Sequence, residues 1–232
     1  MATSPENRIH LRQAEIGPMA NFIYIIGDPK TRKAAVVDPA WDVDAIIDLV
    51  NRDGYEIDKI LITHYHQDHL GGRMMGQNIE GAADMLAKVK AKVYVNKHEA
   101  EGARKVAGLS ESDIVKVDAG DVFKVGDLDV KFLHTPGHTP GSQCFLVDGN
   151  LVSGDTLFVN SCGRVDLPGS DPEAMYHSLN DTLRNLDEDT VVYPGHAYSN
   201  EPSSTIGKQK RTNMYMRFPT LDDFLDAMGY SR

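Results

Sequence analysis

The chain has 232 residues, 41% of them hydrophobic and 25% charged, and a formal net charge of −10. That balance suits one compact globular domain able to bury its own core, and it excludes a disordered or fibrous chain. Two cysteines, Cys144 and Cys162, exclude a disulfide framework and form no CxxC pair; no run approaches the ~18 apolar residues of a membrane span, and the acidic balance gives no footprint for nucleic acid.

The start, Met1 to His10, is polar, carries Pro5, Glu6 and Asn7, and has no apolar stretch of the kind a signal peptide needs, so a cytoplasmic protein is expected. Phe22 to Ile26 and Ala34 to Val37 read as two paired strands around a turn at Gly27-Asp28-Pro29-Lys30. Asp42 is placed to cap a helix whose apolar face is Val43, Ile46, Ile47 and Val50. Ile60-Leu61-Ile62 has the continuous apolar character of a strand buried on both faces. Gly71-Gly72 gives a tight turn, after which Ile79, Ala82, Ala83 and Leu86 repeat the helical spacing. Val93 to Val95 reads as a strand, and His98 to Ala107 as a helix stopped by Gly108.

In the second half, Leu128, Val130 and Phe132 alternate with Asp129 and Lys131, the pattern of a half-buried strand. Cys144 to Val147, Asp148-Gly149 and Leu151-Val152 form a hairpin signature. Asp171-Pro172 reads as a cap and first helical residue, ahead of a stripe of Met175, Leu179, Leu183 and Leu186. Val191 to Tyr193 is expected to be the last strand, and Thr220 with Asp223 resembles a capping box before Leu221, Phe224, Leu225 and Met228. Strand pairs in both halves with interspersed helices suggest sheets packed face to face with helices outside; a single-sheet α/β fold fits the same pattern.

Chemistry concentrates where the buried strand at residues 60–62 ends. His64, His66, Asp68 and His69 offer four metal-ligand side chains within six residues, and imidazole with carboxylate suits zinc or iron. Three later segments each add one candidate in a turn-prone stretch after a strand: His138 in Pro136-Gly137-His138-Thr139-Pro140, Asp155 in Gly154-Asp155-Thr156, and His196 in Pro194-Gly195-His196. Together they would meet at one edge of the sheets.

This set, HxHxDH followed by GHT, GDT and PGH from about Phe22 to His196, resembles the metallo-β-lactamase superfamily. The resemblance implies a four-layer αββα sandwich, taken here as one domain over residues 1–232 with a short helical extension from about residue 200. It also implies two divalent metal ions: His64, His66 and His138 around one, Asp68, His69 and His196 around the other, and Asp155 bridging both. Zinc is the metal expected, with iron as the other. Gly154-Asp155-Thr156-Leu157-Phe158, Ser161-Cys162-Gly163-Arg164 and Gly195-His196-Ala197-Tyr198 resemble glyoxalase II, the hydroxyacylglutathione hydrolase, as does Ser204-Thr205-Ile206-Gly207 with Lys210, Arg211 and Asn213. By that resemblance Arg164 and Tyr198 contact substrate. Asp166 stands where that family carries a tyrosine.

The activity implied is hydrolysis of a glutathione or similar thioester by a metal-bound hydroxide, with Asp68 orienting the nucleophile and a small-molecule substrate as partner, no nucleic acid and no membrane. Persulfide dioxygenases share most of these motifs, and a single ferrous ion on His64, His138 and Asp155 is the alternative; a protein with a purely structural metal comes third, because seven candidate ligands exceed the four of a closed site. Lys208, Lys210 and Arg211 could anchor an anionic thiol carrier near the site. Cys162 is expected to pack, and His134 to serve structure. The oligomeric state is left open by the sequence.

Overall fold

The computed structural model describes residues 8–230. Pro5, Glu6, Asn7 and the rest of the polar start up to residue 7 lie outside them, as do residues 231–232. Among the described residues no helix is long and apolar enough to cross a membrane.

The first half builds a six-stranded sheet. β1 (His10–Ile16) and β2 (Asn21–Gly27) pair antiparallel, and β2 pairs with β3 (Lys33–Val37), with Tyr24 opposite Val37. β4 (Glu56–Leu61) joins β3 in parallel after helix α1 (Val43–Arg52), which Asp42 caps by accepting the Ala45 N–H at 2.9 Å. The single helical turn α2 (Gln67–Leu70) then leads into a small hairpin, β5 (Gly72–Met74) and β6 (Gln77–Ile79), before α3 (Ala82–Leu86). Ile79 therefore ends a strand and does not belong to the helix its spacing suggested; the hairpin is too short to show a period of its own. β7 (Lys92–Asn96), α4 (Ala100–Ala107) and β8 (Ile114–Val117) complete the sheet, in the order β1-β2-β3-β4-β7-β8.

The second half builds another. β9 (Val122–Val125), β10 (Leu128–His134), β11 (Gln143–Val147) and β12 (Asn150–Gly154) run as an antiparallel meander. The β11–β12 turn is Asp148-Gly149, both at positive φ (44° and 74°), the geometry a two-residue hairpin needs. After the short pair β13 (Leu157–Phe158) and β14 (Ser161–Cys162) comes α5 (Pro172–His177), capped by Asp171 and prolonged by a π turn over Ser178–Thr182. β15 (Val191–Pro194) pairs in parallel with β12. It is not the last strand: β16 (Ser204–Thr205) returns to pair with it, followed by α6 (Ile206–Thr212) and α7 (Leu221–Ala227).

Three apolar clusters define four layers. Phe22, Tyr24, Ile26, Leu61, Val130, Phe132, Phe145 and Val152 fill the space between the sheets. Ile46, Val50, Ile60, Met85, Val93 and Ala103 join the first sheet to α1, α3 and α4. Leu151, Met175, Leu179, Val192, Ile206 and Phe224 join the second sheet to α5, α6 and α7. Ile60 and Leu61, neighbours on β4, face different clusters, as expected of a strand covered on both sides. The fold is thus an αββα sandwich. The segment after about residue 200 is part of its outer layer, through Ile206, Phe224 and Leu225.

Candidate metal centre

Every candidate ligand sits just past the C-terminal end of a strand: His64, His66, Asp68 and His69 after β4, His138 after β10, Asp155 after β12 and His196 after β15. Strands of the two sheets bring these ends to one rim, where rigid elements aim short loops at a common point. Gly195 allows the last approach, because a Cβ there would come within 2.3 Å of Asp155 Oδ1.

Three groups of donor atoms form: His64, His66 and His138; His64, His69 and Asp155; Asp68, His69 and His196. Within each, the atoms lie within 4.8 Å of one another. His66 Nδ1 is 3.0 Å from His138 Nε2, and His69 Nε2 is 3.1 Å from His196 Nε2. Asp155 lies between, with Oδ1 3.4 Å from His69 Nε2, and Oδ2 3.4 Å from His196 Nε2 and 3.6 Å from His138 Nε2.

The outward nitrogens are held by the protein. His69 Nδ1 donates to Asp38 Oδ2 at 2.9 Å, His138 Nδ1 to the Arg164 carbonyl at 2.8 Å, and His196 Nδ1 to the Met19 carbonyl at 2.9 Å. Thr63 Oγ1 donates to Asp38 Oδ2 at 2.6 Å, which leaves its lone pair to accept from His64 Nδ1 at 3.0 Å. Each ring so held presents the lone pair of its Nε2 to the centre. Bare nitrogen lone pairs about 3 Å apart repel unless a cation or proton lies between them. His64 Nε2 and Asp155 Oδ1 are buried with no hydrogen-bond partner at all. This donor set therefore fits divalent metal ions.

The electrostatics agree. Burial, then the neighbouring imidazoles, push His64 well below its ordinary value and His66 down to about 4, so both stay neutral and able to ligate. Burial opposes charge on Asp68 and Asp155 as well, yet the facing histidines outweigh it and hold both carboxyls low, with Asn21 Nδ2 adding a 3.1 Å hydrogen bond to Asp68 Oδ2. Burial likewise disfavours a cationic His69, but Asp68, Asp155 and Asp38 raise it well above its ordinary value. Positive charge is thus favoured at the centre of the cluster.

Asp38 was not among the residues singled out from the sequence. It sits at the end of β3 at φ 52°, buried, its carboxylate taking the Thr63 N–H at 2.8 Å as well as Thr63 Oγ1 and His69. Its only sequence signal is its place after the apolar run Ala34–Val37, at the same strand end as the ligands.

Beside His196 lies a cavity of about 310 Å³ lined by Phe158, Cys162, Arg164, Tyr198 and their neighbours. The Tyr198 ring stacks on His196, centroids 4.5 Å apart and planes at 8°. Arg164 is held in a two-pronged ion pair with Asp166, 2.8 Å at each contact. Cys162 is buried, and burial pushes its thiol up to about 12, the behaviour of a packing residue. His134 is held by the Pro140 carbonyl at 2.9 Å and stacks on His98. Lys208, expected with Lys210 and Arg211 to anchor an anionic thiol carrier, pairs with Glu201, and Lys210 and Arg211 pair with Glu188; none of the three is among the residues lining this cavity.

The profile described as the metallo-beta-lactamase superfamily matches residues 16–196. The chain belongs to that superfamily. Among curated relatives, the probable polyketide biosynthesis zinc-dependent hydrolase BaeB of Bacillus velezensis is 27% identical over 208 residues, covering 89% of this chain and 86% of that protein. The hydroxyacylglutathione hydrolase of Maricaulis maris is 36% identical over 181 residues, 77% of this chain; the match spans 63% of that longer protein. Among solved structures, ETHE1 from Myxococcus xanthus superposes with a TM-score of 0.82 at 28% identity, covering 95% of this chain and 90% of that one. The superfamily thus joins glyoxalase II relatives and an ETHE1 neighbour around this one sandwich.

Proposed function

We propose that this metal-dependent hydrolase cleaves thioesters of glutathione or a similar small thiol, using two metal ions, zinc by preference, held by His64, His66, His138, Asp155, Asp68, His69 and His196. The observation that carries this reading is the second donor trio. Asp68, His69 and His196 converge beside the first trio, and both Asp155 oxygens face histidines of the two. The names of the zinc-dependent and hydroxyacylglutathione hydrolase relatives support it. Two divalent ions, when bound there, lower the pKa of a shared water toward neutrality and polarise an acyl carbonyl. The protein's part is orientation. Asn21 Nδ2 grips Asp68 through its carbonyl at 3.0 Å and its carboxylate at 3.1 Å, fixing the side chain that would both hold the second metal and orient the nucleophile. Asn21 is in turn held by Trp41 Nε1 at 2.9 Å. The thiol side of the substrate takes the cavity between Phe158, Arg164 and Tyr198, and the products are a carboxylate and a free thiol.

The ETHE1 likeness supports a second reading, a persulfide dioxygenase with one iron on His64, His138 and Asp155. One experiment separates the two. Zinc-loaded protein is assayed on S-lactoylglutathione, and anaerobically iron-loaded protein on glutathione persulfide with oxygen uptake recorded. Thioester turnover that falls when the second metal is removed supports the hydrolase. Rapid oxygen consumption with one iron per chain and no thioester cleavage overturns it.

A further inference from the structure

Glu99 takes no part in the reaction just described, yet its carboxyl is buried, 2% exposed, at the start of α4. Among the described residues it pairs with no Lys, Arg or His, and burying such a group costs several kcal/mol, on the order of 2–7 for a polar group alone, unless hydrogen bonds compensate. The donors it collects share one property. Oε1 accepts from the Thr139 hydroxyl and from the Gly141 N–H at 2.9 Å, both in the loop that carries His138. The Tyr65 N–H, between His64 and His66, faces the same carboxyl without closing a hydrogen bond on it, and Oε2 is buried with no hydrogen-bond partner among the described residues. Thr139 Oγ1 is further braced by Ser142 Oγ at 2.7 Å. One side chain from a third element therefore joins the His138 loop to the Tyr65 turn between His64 and His66, and among the described residues it makes no hydrogen bond to Asp68, His69 or His196.

We propose that Glu99 is a positioning residue for one half of the metal centre: by clamping the Tyr65 and Thr139 segments together it sets the spacing of His64, His66 and His138, and so the affinity of that trio for its metal. The inference rests on reading those three histidines as one metal site. Partners that orient metal ligands are worth about 10- to 100-fold in metal affinity. Glu99 acts one link further out than Asp38, through the loop backbones rather than through an imidazole.

The test isolates each trio and measures zinc affinity by chelator competition, with no activity needed. In a His196→Ala background, which leaves the first trio intact, Glu99→Ala should weaken zinc binding about tenfold or more. In a His66→Ala background, which leaves the second trio, the same change should weaken it less than about threefold. Glu99→Gln keeps an accepting oxygen for Thr139 and Gly141 and should restore affinity in the first background. A residue that merely stabilised the fold would lower both trios alike. Thr139→Val, which removes only the hydroxyl, carries the same comparison should Glu99→Ala fail to fold. Equal losses in both backgrounds, or no loss in the first, overturn the inference while leaving the metal site standing. A wild-type protein that takes up no zinc overturns both.

Discussion

Asp38 Oδ2 accepts a hydrogen bond from His69 Nδ1 at 2.9 Å, and this decides which nitrogen of His69 faces His196. The same oxygen holds Thr63 Oγ1, which orients His64. A single carboxylate thus fixes one imidazole of each donor trio.

Replacing Asp38 by Ala should therefore weaken both trios. Zinc affinity should fall about 10- to 100-fold, read by chelator competition. A loss confined to one zinc per chain would contradict the shared role.

Asp155→Ala should reduce kcat/KM far more than Cys162→Ala. Asp155 faces His69, His138 and His196 at once, whereas Cys162 holds a neutral, buried thiol. The expected loss is more than about 100-fold for the first and less than about tenfold for the second, at matched folding. Comparable losses would point to chemistry at the thiol.

Gly71 lies at φ 91°, immediately behind the ligand helix, and a Cβ there would come within 2.6 Å of Gly81 Cα. Gly71→Ala should cost about 2 kcal/mol or more, since both the backbone conformation and the contact are lost. Denaturant midpoints at unchanged slope would measure it. A neutral substitution would mean that the loop relocates freely.

Burial pushes the Glu99 carboxyl up from its ordinary 4.5 to about 7. The folded state then holds this proton more tightly than the unfolded state does. The stability it contributes is complete below pH 4.5 and is lost as the pH rises through about 7. Glu99→Gln remains neutral throughout. Relative to wild type, both metal-free, its stability should rise between about pH 5 and pH 8 by up to about 3 kcal/mol. A difference independent of pH would show that Glu99 ionises inside the fold as it does in water.

Much of this architecture is legible in the residues because several local signals agree. The cap at Asp42, the Asp148-Gly149 turn and the alternation from Leu128 to Phe132 each describe an element that forms where expected. What escaped is short or set by pairing. β1 reads as a mixed polar stretch, and only its register against β2 makes it a strand. β16 has two residues, and α3 loses Ile79 to a hairpin. At the site, the candidate ligands stand out because rare side chains crowd into turn-prone segments. Asp38 and Glu99 do not, since a lone acid after a strand or before a helix looks like any other until the loops it touches are folded against it. The basic trio Lys208, Lys210 and Arg211 shows the opposite case: charge is visible in a sequence, but its pairing is not, Lys208 being neutralised by Glu201 and Lys210 and Arg211 by the distant Glu188.

His64, His66, Asp68 and His69 precede residue 70, and His138, Asp155 and His196 follow residue 130, so neither half of the chain owns a complete donor set. The halves meet through the Phe22 N–H to Gly195 carbonyl bond at 2.8 Å and through the shared apolar layer. Any ion that engages donors from both halves acts as a cross-link between them, and its binding free energy adds to the cohesion of the sandwich by RT ln(1 + [M]/Kd). The two sheets, expressed as separate fragments, should accordingly reassociate more tightly in the presence of metal than in its absence, so that the site doubles as a latch on the assembly of its own scaffold.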